Sequence, residues 1–423
     1  MVFTRGSRDD WDRWAEIIGD GAYSWDKMLP FMLKSEKLVQ DSENQTEEGH
    51  IDPSIHGHDG TVSNTAPYNN HPINEMLMQT TQDLPDEFPY LLDMNNGSPI
   101  GIAWNQFSID RNGERSSAAT AYIEPAGDNL HVLINTQVTR VLHVGDDESC
   151  FRGVEFAADV ESPKKQIVAS KEVIIAGGVI GTPQILLNSG IGKREELEAV
   201  GVTTLIDNPS VGKNFTDRVS SIVMFNTTIQ DTDFDRDRAL AEWNTTRTGP
   251  LTLPGHLNHI VYLRLPDDAA PFSQEGFTDP TPGENSPHIE MVYSQISAHL
   301  PQTSIDIPSP PPGTTNVMIQ LFVVNLHPIS RGSITLNTSD PFKHPIVDFG
   351  MLSEPLDIAI MREAFKRARD LYSAPAFQDS VFGTLVPAGN VATDSDIEDF
   401  LRIASAPYLH AVSSAAMSGY NAS

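Results

Sequence analysis

His410 lies in the segment Pro407-Tyr408-Leu409-His410-Ala411-Val412-Ser413-Ser414. An imidazole titrates near neutrality, so a histidine with one free ring nitrogen can take the proton of a hydroxyl group. By residue type alone, the same histidine also fits a hydrogen-bonded structural role in a stretch of small residues. A second chemical signal runs from Ile174 to Gly192, through Gly177, Gly178, Gly181, Thr182 and Pro183. Here an apolar strand is expected to pass through small residues into a helix, where backbone N–H groups and the positive helix end can approach an anionic group. Thr182 is the expected cap of a helix whose first residue is Pro183, and Gly190 or Gly192 would end it. A tight connection that binds nothing has the same spacing, and GGxxG is not GxGxxG.

Other chemistries find less support. The carboxylates show no spacing that singles out a glycosidase or metal site, and the remaining histidines lack HExxH spacing. His56 and His58 fall in a polar stretch that reads as a solvated loop or a metal pair, and no metal site is expected. The single cysteine, Cys150, can form neither an internal disulfide nor a CxxC redox pair. Redox chemistry would therefore need a bound cofactor. Asp and Glu number 57 against 28 Lys and Arg, for a formal charge of -29. Such a surface repels phosphate backbones and anionic lipid, which argues against nucleic acid and membrane partners. No run reaches the ~18 uncharged apolar residues of a membrane span. The N-terminal residues lack a signal-peptide core, yet Asn-x-Ser/Thr sequons at Asn44, Asn96, Asn214, Asn226, Asn244, Asn337 and Asn421 have meaning only in a secretory lumen.

The elements that must position these residues follow from periodicity. Trp11, Trp14, Ile17 and Ile18, then Trp25, Met28, Leu29, Met32 and Leu33, predict two amphipathic helices split by Gly19 and Gly21. Residues 39–74 turn polar and read as a long surface excursion. Leu130 to Asn135, Gln137 to Leu142, Phe151 to Phe156, Lys165 to Val168 and Val173 to Ile175 are strand candidates leading to the glycine-rich turn. Proline-rich zones at 266–287 and 307–313 read as loops or polyproline spacers. Asn258 to Leu265, His288 to Tyr293 and Val317 to Leu326 predict a second sheet, and Asp357 to Tyr372 is the clearest helix.

The order Gly178-Val179-Ile180-Gly181-Thr182-Pro183-Gln184-Ile185-Leu186, with Ser189-Gly190-Ile191-Gly192, resembles the second signature of the glucose-methanol-choline oxidoreductases, with Val179 departing where a small residue or proline is usual. Met1 to Ser7 with Asp10-Trp11-Asp12 is similar to the end of the family's first, flavin-covering signature. Asn135 to Val141 resembles the strand that reaches the adenine end of FAD, and His327 to Ile334 resembles the opening of the C-terminal region. Within the family, these segments are most similar to fungal aryl-alcohol oxidases and pyranose dehydrogenases. The stretch after His410 is similar to the family's His-Pro-x-Gly-Thr motif, with Ala411 in place of the proline and Ser413-Ser414 in place of Gly-Thr.

The resemblance implies a mixed α/β fold: an incomplete Rossmann-like FAD-binding domain beside a substrate domain with a mostly antiparallel sheet and flanking helices. Residues 1–40 and 110–215 would form the flavin part, 41–109 and 216–400 the substrate-binding cap, and 401–423 the start of the return to the flavin, with the C-terminal region spanning about 327–423. It implies FAD as cofactor, near Val138, Gly177, Gly178, Thr182 and Pro183, and His410 as the base that deprotonates an alcohol or sugar while hydride leaves for the flavin. Oxygen or a quinone would reoxidise it, and the full-length enzyme would be secreted. Leu409 and Phe322 would line a substrate pocket or serve as core. The family's GxGxxG is absent from the sequence, and Ser423 follows His410 by thirteen residues. The expectation is thus a fragment, inactive as written. A hydroxynitrile-lyase-like flavoprotein and a non-catalytic relic are the competing readings.

Overall fold

The computed structural model describes all residues except 44, 46–47, 146–149, 230–233, 254–257, 298–316, 388–390 and 419–423. The second proline-rich zone and the sequons at Asn44 and Asn421 lie outside the described residues. The chain forms two compact units, one of Met1–Gly127, Val219–His327 and Pro355–Ala406, the other of Asp128–Arg218, Pro328–Glu354 and Pro407–Ser423. Residues 1–40 therefore belong to the first unit.

In the first unit, long apolar runs build an antiparallel sheet in the order Val381–Val386, Val219–Thr227, Val317–Asn325, Ile289–Ser297, His259–Leu263 and Gly101–Trp104. The central strand Val219–Thr227 is buried at most positions on both faces, which explains its nearly continuous hydrophobic sequence. The helix Pro355–Tyr372 packs against this sheet with Ile358, Met361, Ala364, Phe365 and Ala368 buried, the stripe that its 3.6-residue spacing predicts. Burying one such large apolar side chain contributes roughly 1.5–3 kcal/mol. The two N-terminal helices are Arg8–Ile18 and Trp25–Ser35. Ser7 and Asp10 close a capping box at the start of the first, and Gly19, at φ 74°, ends it.

The polar stretch 39–74 is not a surface excursion. It carries a short strand, Val62–Asn64, paired in parallel with Glu36–Leu38, and buries Ile51, His56, Asn64 and Thr65. His56 is neither solvated nor beside a metal cluster among the described residues. Its two ring nitrogens face Glu36 Oε1 at 2.5 Å and Asp93 Oδ2 at 2.9 Å. Arg5 completes the group through Glu36, Asn64 donates to Glu36 Oε1, Gln106 donates to Asp93 Oδ1, and Asn95 donates in turn to Gln106 Oε1. Polarity there reflects a buried hydrogen-bonded network rather than a loop.

In the second unit, Gln137–His143, Phe151–Ala157 and Lys165–Val168 form an antiparallel meander as expected. Leu130 to Asn135 and Val173 to Ile175 form no strand. Their apolar character promised a buried strand, but a strand needs a ladder neighbour, and neither segment pairs with one among the described residues. Ile134 is 72 % and Ile174 80 % exposed.

Candidate active site

The glycine-rich turn opens a helix earlier than its sequence suggests. The helix is Gly178–Asn188, with Gly177 at its N-cap position. Thr182 and Pro183 thus lie inside it, and Thr182 is not the cap. The reason is local: Gly178 adopts φ 73°, which lets the chain turn into the helix five residues before Pro183, its expected first residue. No side chain caps this end, and Gly177 and Gly178 are exposed. The first-turn amides therefore remain available as donors to an anionic group. A Cβ on Gly177 would sit 2.9 Å from the backbone of Gly181 and Thr182, so only glycine fits there.

Pro183 inside the helix has a consequence at its fourth preceding residue. Lacking an N–H, it leaves the Val179 carbonyl without a helical donor. The Ser414 hydroxyl fills that gap at 2.5 Å, and Ser414 is 2 % exposed. The segment after His410 is thereby fastened to the start of the glycine-turn helix. A second tie joins Ser414 to Gly212, whose N–H donates to the Ser414 carbonyl at 2.8 Å. Val138, 36 % exposed, sits on the strand Gln137–His143. That strand is held to the same helix by the Val141 N–H, which donates to Ser189 Oγ at 2.8 Å.

His410 is exposed on this unit, and its Nδ1 lies 2.6 Å from the Tyr408 carbonyl. A carbonyl only accepts, so Nδ1 carries a proton, and in the neutral ring the lone pair is on Nε2. Nε2 has no hydrogen-bond partner among the described residues. This is the arrangement a general base requires. The loop is laced onto residues 216–218: the Tyr408 N–H donates to the Arg218 carbonyl at 3.0 Å, and Thr216 pairs with Val412 in a β-bridge. The amides of Leu409 and His410 both donate to the Asp217 carboxylate, at 3.1 and 2.9 Å. Leu409 is 87 % exposed and is not core material, whereas Phe322 is half-buried on its strand in the first unit. Sequence reasoning missed Asp217 and Ser414. The resemblance had placed Ser414 opposite a threonine of the family motif, and Pro183 signalled the contact itself, since a proline inside a helix announces an unpaired carbonyl.

The sequence patterns described as GMC oxidoreductase match residues 1–220 and 328–422. The chain belongs to the GMC oxidoreductase family. Pyranose dehydrogenase of Agaricus xanthodermus is 50 % identical over all of this chain and 70 % of its own length. Pyranose dehydrogenase 2 of Leucoagaricus meleagris matches to the same extent, and dehydrogenase eriK of Hericium erinaceus is 33 % identical over 95 % of this chain and 67 % of its own. Among solved structures, a fungal aryl-alcohol oxidase superposes with a TM-score of 0.82 at 24 % identity, covering 99 % of this chain and 75 % of that one. An FAD-dependent oxidoreductase from Chaetomium thermophilum gives a TM-score of 0.82 over 98 % of this chain and 74 % of its own, again at 24 % identity. The fold of this GMC chain is thus a mixed helix and sheet fold shared with those structures.

Proposed function

We propose that this GMC chain serves FAD-dependent oxidation of CH–OH groups in sugars or alcohols, with His410 as the base. The observation that carries the reading is the Nδ1–H donated to the Tyr408 carbonyl, which leaves Nε2 unpartnered and exposed. Identity of 50 % to pyranose dehydrogenases favours a sugar as substrate.

The residues present fit FAD. An uncapped helix end at Gly177 and Gly178, with open space around the Cβ position of Gly178, gives phosphate-like groups a close backbone approach. Gly177, Gly178 and the exposed amides that follow them would hold it, with Val138 on the neighbouring strand, while Thr182 and the buried Pro183 lie one turn further along the helix and support that turn rather than donate to the group. When bound, FAD would supply the acceptor for the hydride, with oxygen or a quinone as the final electron acceptor. His410 takes the substrate hydroxyl proton at Nε2, and the Tyr408 carbonyl stabilises the ring that then carries two protons. Ser414 and Pro183 hold the His410 segment to the glycine-turn helix, so that base and cofactor-facing backbone share one frame.

We also propose an extracellular setting. Asn96, Asn214, Asn244 and Asn337 are exposed, as glycan acceptors must be, whereas Asn226 is half-buried on a central strand. No helix among the described residues is long and apolar enough to cross a membrane.

The test is spectroscopic. The 423-residue chain, expressed with FAD and passed through gel filtration, should keep its flavin bands, and anaerobic glucose should bleach them. His410→Asn should retain the bands while bleaching slows about a hundredfold or more. A colourless protein would overturn the proposal that these residues hold FAD, and unchanged bleaching in the variant would remove His410 as base.

A further inference from the structure

We infer that Asp217 is the positioning residue of His410, fixing the tautomer and direction of its ring through the backbone rather than by touching the ring. The inference rests on the reading of His410 as the base. Asp217 is 4 % exposed, and each of its carboxylate oxygens receives one of two successive amides, Oδ2 from Leu409 and Oδ1 from His410. Successive N–H groups converge on one anion only when the chain bends back between them. The bend is at Leu409, whose φ of 62° lies in the left-handed region that a γ-branched side chain ordinarily avoids. Its side chain is 87 % exposed, so no apolar burial compensates for that conformation. The two charge-assisted hydrogen bonds do.

The same bend turns the Tyr408 carbonyl toward Nδ1 of His410, at 2.6 Å. Asp217 has no Lys, Arg or His partner among the described residues, so its charge is directed wholly at backbone amides. An amide side chain cannot replace it. Asparagine offers one acceptor and one donor to two donors, so one N–H of the loop would meet another N–H.

The experiment follows the 15N signals of the His410 imidazole and the exchange of the Leu409 and His410 amides in the full chain, together with kcat and KM of the FAD-loaded protein. The parent chain should show one tautomer, protonated at Nδ1. Asp217→Asn should mix the tautomers, speed exchange of both amides tenfold or more, and lower kcat at least tenfold with KM within about twofold. Leu409→Gly alone should keep the single tautomer. Combined with Asp217→Asn it should restore part of it, because glycine takes positive φ without the carboxylate. This second pair keeps the test open should Asp217→Asn alone fold poorly. Unchanged imidazole signals in Asp217→Asn would overturn the inference. Mixed tautomers with unchanged kcat would instead confirm the positioning and overturn His410 as the base.

Discussion

His56 offers a pH dependence that can be worked out from its surroundings. Both ring nitrogens face carboxylates, Glu36 at 2.5 Å and Asp93 at 2.9 Å, and a carboxylate oxygen only accepts. Both nitrogens must then carry protons, which makes His56 an imidazolium inside the first unit, its side chain fully buried. Burial alone pulls an imidazole down, but the hydrogen bonds to Asp93 and Glu36 and their charges outweigh it and hold His56 at about 9. The unfolded chain titrates near 6.5, so the difference corresponds to about 3 kcal/mol at 1.36 kcal/mol per unit. The folded-state pKa is the raised one. The stabilisation is therefore complete below pH 6.5 and is lost as pH rises through 9. All tryptophans of the chain, Trp11, Trp14, Trp25, Trp104 and Trp243, lie in this unit, so their fluorescence reports its unfolding alone. Urea unfolding between pH 6 and 10 should show the midpoint falling through that window, while His56→Gln should be nearly flat there and less stable at pH 6 by about 3 kcal/mol or more, because two buried carboxylates lose their shared cation. Equal slopes in the two proteins would refute the imidazolium assignment.

Four further outcomes are expected. Ser414→Ala should weaken protection of the helix Gly178–Asn188 by about 1–3 kcal/mol in hydrogen exchange, since the Val179 carbonyl loses its donor; adding Pro183→Ala, which restores a helical N–H, should recover most of that loss. Ser413, at φ 76°, occupies a conformation that costs a residue with a side chain about 1 kcal/mol, so Ser413→Gly should raise the stability of the second unit by that amount in thermal unfolding followed by circular dichroism. Gly178→Ala should cost about 1 kcal/mol at φ 73° and reduce flavin retention on gel filtration, whereas Gly181→Ala, with open space and no positive φ, should leave retention unchanged. Glu155 is held near 2 despite burial, by hydrogen bonds from Arg140 and Thr139 and the charge of Arg140, so it stabilises the meander above pH 4.5; exchange protection there should fall as the solution is acidified toward pH 2, and should not in Glu155→Gln.

How far the sequence could be read depended on whether a residue's partner was close in the chain or implied by periodicity. The helix Pro355–Tyr372 and the strand Val317–Asn325 were legible because one repeating pattern specifies both the element and its buried face. The apolar segments 130–135 and 173–175 carry an equally strong pattern, yet periodicity reports only the tendency to be buried. It does not say that a neighbouring strand is there to accept the ladder. In the polar stretch 39–74, the opposite error arose for a related reason. His56, Glu36, Asp93 and Arg5 come from four separate segments, and each looks like a solvent-facing residue until the others are beside it.

The candidate active site divides along the same line. His410 and the Gly177–Gly178 turn are recognisable from residue type and from their family context, but the properties that make them useful are set by groups far away in sequence. His410 owes its free Nε2 to the Tyr408 carbonyl, two residues back, and that carbonyl is aimed by Asp217, nearly two hundred residues earlier. The glycine turn owes its place beside the His410 segment to a carbonyl that Pro183 leaves unpaired and Ser414 completes. Where Ser413-Ser414 stands in place of the family's Gly-Thr, the second position still supplies a hydroxyl, while the first adopts the positive φ that a glycine would have taken without strain. In this chain Ser414 supplies the hydrogen bond that fastens the loop, and Ser413 carries the strain of a positive φ. The strain at Ser413 bears on the stability of the loop, while Nε2 is presented by the Tyr408 carbonyl and the Asp217 contacts, neither of which involves Ser413.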